Sequence, residues 1–100
     1  DKMADERTKE AVETAFLSSG ERERVKDLLQ SRLREHGWNN EVKRLCRECI
    51  KTRGIEGVSV EEIYNDVRGE ARSKVPDEVK RELLAVVSSF VRKQLDLEEM

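Results

Sequence analysis

The sequence has one proline and five glycines in 100 residues. Punctuation this sparse argues against a turn-rich sheet protein and leaves room for long helices. Aromatic residues make up only 4%, so bulky core material is scarce. Two cysteines are too few for a disulfide scaffold and suit a reducing compartment. No apolar run approaches ~18 residues and no charged-then-apolar leader is present, so neither a membrane span nor a secretion signal is expected. Acidic and basic residues nearly balance, 22 against 20, and the general signature of a nucleic-acid-binding domain is missing.

What is present is charge. Charged residues are 42% of the chain and apolar residues 36%, against about 25% and about 45–50% in ordinary domains. The length implies one domain, residues 1–100. A domain this small buries a modest share of its surface and has a thin stability margin. With little apolar material as well, the chain is expected to borrow core from a partner.

The glycines fall between helix-like runs. Gly20, Gly37 and Gly54 each follow one, as expected of residues that end helices in the left-handed conformation. The first run, roughly Ala4 to Ser18, is weakly patterned, with Val12, Ala15 and Phe16 able to share a face. The second starts near Glu21 and repeats Val25, Leu28, Leu29 and Leu33 at helical spacing. The third is expected to begin after Asn39 or Asn40 as N-cap. Its stripe is Val42, Leu45, Cys46, Cys49 and Ile50.

Ser59 and Glu62 have the spacing of a capping box, in which the serine accepts from the glutamate's amide and the glutamate reaches back. The fourth helix then carries Ile63, Val67 and Ala71 on one face, with Tyr64 beside it, and either ends at Gly69 or runs on to about Lys74. Pro76 is expected at the first position of the last helix, followed by Asp77 and Glu78 in its positive first turn. That helix shows a broad stripe of Val79, Leu83, Val86, Val87, Phe90, Val91 and Leu95, and the acidic end from Asp96 to Met100 reads as loose. The fold class is therefore all-α, five helices joined by short turns.

The stretch "HGWNNEVKRLCREC" raises the question of a metal site, since His36, Cys46 and Cys49 are three ligand types. A second cysteine pair, as in a zinc ribbon, is missing. Cys46 and Cys49 also occupy slots in the apolar stripe, where free cysteine behaves as a small hydrophobe. They read as packing residues, with no metal or cofactor expected. His36 sits in the last turn before Gly37 and reads as a surface or capping residue. No nucleophile has a recognisable companion base, so no enzyme is expected.

Lys43, Arg44, Arg47 and Lys51, with Arg53 at the end, form a basic face on the third helix away from its cysteines. It reads as a solvated face beside Glu41 and Glu48, with contact to phosphate or an acidic protein surface as the alternative, and it lacks the residues for reading bases. A basic-helix nucleic-acid binder and a self-sufficient homodimer are the rival readings. The apolar stripes themselves leave two alternatives open, an internal bundle core or a groove that closes on a partner helix. Trp38, beside Gly37, can anchor either.

The segments "GERERVKDLLQSRLREHGW", "EVKRLCRECI", "VSVEEI" and "VPDEVKRELL" resemble the enhancer-of-yellow-2 family, in order and spacing, from about Gly20 to Phe90. The resemblance implies a non-enzymatic nuclear adaptor, an open clasp around a partner helix rather than a closed bundle. The partner would be an amphipathic helix of a larger subunit, either in the histone-deubiquitinating module of the SAGA coactivator or in the scaffold of the TREX-2 mRNA-export complex at nuclear pores. No membrane and no sequence-specific nucleic acid are implied. The stripes of the second to fifth helices, from Val25 to Phe90 and including Trp38, would then be the inner face. The family commonly has a cysteine where His36 stands, and a Thr-Pro-Lys-type break where this chain reads Val67 to Arg72. Without that proline, a more continuous fourth helix is expected.

Overall fold

A computed structural model describes residues 2–98. Five helices follow one another: α1 Lys2–Ser18, α2 Glu21–Glu35, α3 Trp38–Arg53, α4 Val60–Ser73 and α5 Asp77–Glu98. No strand occurs among the described residues, and the all-α class read from the sequence holds.

Two residues, His36 and Gly37, join α2 to α3, and Gly37 reverses the chain. Gly37 is left-handed, φ 75° and ψ 13°, a conformation that costs glycine little because it lacks a Cβ. Its N–H donates to the Arg34 carbonyl at 3.1 Å, and its own carbonyl accepts from the Glu41 N–H at 3.3 Å. Gly37 thus closes α2 and opens α3. This corrects the expected start of α3: Asn39 and Asn40 lie inside the helix, and Trp38 is its first residue. Once Gly37 has reversed the chain, no residue is left over for an asparagine cap.

Ser59 caps α4 as expected, its Oγ accepting from the Glu62 N–H at 3.1 Å. The return arm of the capping box is different. The Glu62 carboxylate accepts from Arg53 Nη1 at 3.2 Å, a charged donor being a stronger partner than a neutral amide. α4 runs unbroken through Gly69 to Ser73, as the missing proline implies.

Pro76 stands just before α5 and not inside it, with its carbonyl accepting from the Val79 N–H at 3.0 Å. A one-residue difference at a helix end is small. α5 has 22 residues, about 33 Å at the usual rise. It continues through Asp96, Leu97 and Glu98, where a loose end was expected, because neither glycine nor proline interrupts that run. Glu99 and Met100 lie outside the described residues.

The chain divides into two compact units. One combines residues up to Gln30 with those from Lys80 onward, and so holds α1, most of α2 and most of α5. The other is Ser31–Val79, in which α3 packs on α4. The buried apolar side chains Leu33, Leu45, Ala71 and Val79 all belong to this second unit. Val79 is fully enclosed, at 0% exposure. The first unit has no fully buried side chain among its described residues.

Candidate partner interface

In the Ser31–Val79 unit the start of α3 is tied to the last turn of α4. The Trp38 indole N–H donates to the Ala71 carbonyl at 2.8 Å, and Ala71 is itself buried. The far end of α3 is tied to the first turns of α4 by Arg53. Its guanidinium forks onto Asp66, with Nε donating to Oδ2 and Nη2 to Oδ1 at 3.0 Å, while Nη1 reaches Glu62. Two-pronged arginine–carboxylate pairs fix geometry better than single contacts. His36, at the end of α2, lies 3.2 Å from Glu78 in the first turn of α5.

Cys49 lies beside the Arg53–Asp66 pair. The Cys49 thiol donates to Asp66 Oδ2 at 3.3 Å. Partial burial pushes this thiol up from its ordinary range, and the neighbouring Asp66 carboxylate adds to the effect. The hydrogen bonds from Arg53 hold the Asp66 carboxyl below the usual range, helped by the one from Cys49. A protonated thiol is a poor nucleophile and a poor metal ligand. Cys46 and Cys49 are both free and half-buried. Among the described residues no group of three or more His, Cys, Asp or Glu is placed to hold a metal ion.

In the other unit, α1 and α5 meet through two aromatic rings. Phe16 and Phe90 are edge to face, with centroids 5.6 Å apart and an interplanar angle of 69°, the arrangement favoured by ring quadrupoles. Beside them an open cleft of about 350 Å³ is lined by Val12, Glu13, Phe16, Leu17, Val87, Phe90 and Val91. On another flank of α5, Val86, Phe90 and Leu97 line a second, more polar cleft with Glu21 and Lys93.

The apolar stripes therefore meet different fates. Leu33, Leu45 and Val79 are buried. Val25, Leu28, Leu29, Val42, Cys46, Cys49 and Ile50 are only half-buried, and so are Trp38, Ile63, Val67, Leu83, Val86, Val87 and Phe90. Leu95, at the end of the α5 stripe, is exposed, and most of the other stripe residues are incompletely covered. The basic residues Lys43, Arg44, Arg47 and Lys51 are all exposed. Arg44 is closed onto Glu41 at 2.6 Å and Glu48 at 2.7 Å. The hydrogen bond from Arg44 holds the Glu41 carboxyl below its ordinary range.

The family described as "Transcription factor e(y)2" matches residues 9–91, nearly the whole helical array. The chain belongs to the enhancer-of-yellow-2 family. It is 48% identical over 81 residues to the Enhancer of yellow 2 transcription factor of Drosophila pseudoobscura pseudoobscura, covering 80% of this chain and 81% of that protein. It is 40% identical over 96 residues to the Transcription and mRNA export factor ENY2 of Ciona intestinalis, covering 96% of this chain and 92% of that one. The enhancer-of-yellow-2 match begins at residue 9 and takes in the second half of α1, which the motif resemblance from Gly20 left out. Phe16, the α1 partner of Phe90, lies in that added part.

Proposed function

We propose that this chain is a non-enzymatic nuclear adaptor that wraps the apolar faces of its helices around one long amphipathic helix of a larger subunit. The observation that carries the reading is the incomplete cover of those faces. Leu28, Leu29, Leu83, Val87 and Phe90 are half-buried in the chain alone, at positions where the helical period calls for core. Taking such a side chain from full exposure to full burial is worth about 1.5–3 kcal/mol, so a partner helix that completes a half-made cover gains a part of that from each of them. The names of the relatives, transcription factor and mRNA export factor, support a role in transcription and in export of the transcript.

Its finer form places the adaptor in the SAGA deubiquitinase module and in TREX-2 at nuclear pores, with a single helical clasp shared between them. The adaptor then works by holding the partner helix in one shape. Two substitutions test this. Leu29→Asp and Leu83→Asp each put a carboxylate on the apolar face and should abolish co-purification of the partner, whereas Lys43→Ala on the outer face of α3 should leave it intact. Unchanged co-purification with both aspartate variants would contradict the clasp.

A further inference from the structure

We infer that the outer face of α3 is a contact for the phosphodiester backbone of nucleic acid, recognised by charge and not by base sequence. Lys43, Arg47 and Lys51 follow one another at four-residue intervals and are all exposed. Among the described residues none of the three has an ion-pair or hydrogen-bond partner. The two carboxylates of α3 that would compete, Glu41 and Glu48, are both taken by Arg44. Three free cations are left along one side of a rigid helix, whose opposite side is anchored by buried Leu45.

Spacing and charge favour a regular polyanion. Four helical residues rise about 6 Å, close to two phosphate intervals of about 3.4 Å along a strand. An acidic helix can present carboxylates at the same rise of about 6 Å every four residues, so the preference for phosphate rests on the dense, uninterrupted charge of a nucleic-acid strand. The whole chain carries a net charge of −2, so the stripe is a local reversal of sign that orients an approaching polyanion onto this face. Lys43, Arg47 and Lys51 include no aromatic ring for stacking and no amide for a base edge, so the contact is expected to be insensitive to sequence.

The test is fluorescence anisotropy with the full chain and three probes: a mixed-sequence single-stranded RNA, a mixed-sequence DNA duplex, and polyglutamate of similar length. The two nucleic acids share the phosphodiester chemistry and separate its RNA and DNA sources. Three phosphate contacts predict a log–log salt slope of about −2 on single strands and about −3 on duplex, or a roughly 20- to 40-fold loss from 50 to 200 mM salt. Replacing Lys43, Arg47 and Lys51 together by Gln should abolish binding with an unchanged thermal melt, and replacing both lysines by Arg should preserve it. Absence of binding by the unmodified chain, equal binding by the triple Gln variant, or tighter binding of polyglutamate than of either nucleic acid would overturn the proposal.

Discussion

The indole N–H of Trp38, the first residue of α3, donates to the carbonyl of Ala71 near the end of α4 at 2.8 Å. This one bond fixes the start of α3 against the last turn of α4. Trp38→Phe keeps an aromatic ring and removes the donor. The Ala71 carbonyl still accepts from the Lys74 N–H at 3.3 Å, so it is not orphaned. The loss should be that of an ordinary hydrogen bond plus some packing, about 1–2 kcal/mol. Urea unfolding measures it, and an unchanged midpoint would show that the bond does not contribute.

Two glycine substitutions should act in opposite directions. Gly37 has φ 75°, so Gly37→Ala forces a side chain into the left-handed region and should destabilise by roughly 1–2 kcal/mol. Gly69 is inside α4, and a Cβ there meets nothing within 4 Å. Gly69→Ala should therefore stabilise by roughly 0.5–1 kcal/mol. Thermal melts of the two variants against the parent give both signs at once.

The Arg53–Asp66 fork predicts an acid-sensitive link between α3 and α4. Because the folded Asp66 carboxyl is held below its usual range, its contribution is fully present above the unfolded value of about 3.9. It is lost as the pH falls through the lower folded value. Asp66→Asn should flatten the loss of stability below about pH 4, measured as urea midpoints across that range. The same variant removes the carboxylate that helps keep Cys49 protonated. In a Cys46→Ser background, iodoacetamide should then alkylate Cys49 faster at pH 8.

Helical periodicity made the elements legible and marked the few side chains that are buried in the Ser31–Val79 unit. Leu33, Leu45 and Val79 stood in the apolar stripes and are buried. Ser59 stood at a capping position and caps. Periodicity does not say which helix a given face will meet, and the long-range links were missed for that reason. Arg53 read as the tail of a basic stripe, yet it is the residue that forks onto Asp66. His36 read as a surface or capping group, and its place beside Glu78 depends on where α5 begins. The α1 side of the Phe16–Phe90 contact was faint, because α1 carries few apolar residues and its pattern gains meaning only against α5. Asn39 and Asn40 were favoured as caps by residue preference, and the conformation of Gly37 overrode that preference.

The central claim is that the chain leaves its core incomplete until a partner helix completes it. The most direct measurement is the thermal unfolding of the full chain, followed by circular dichroism at several protein concentrations, alone and with an excess of a synthetic partner helix. The account predicts a low, broad transition for the chain alone and a large upward shift with the helix, since a ligand at 100 times its Kd adds about 2.7 kcal/mol. A sharp, concentration-independent melt at high temperature that the helix does not move would contradict it.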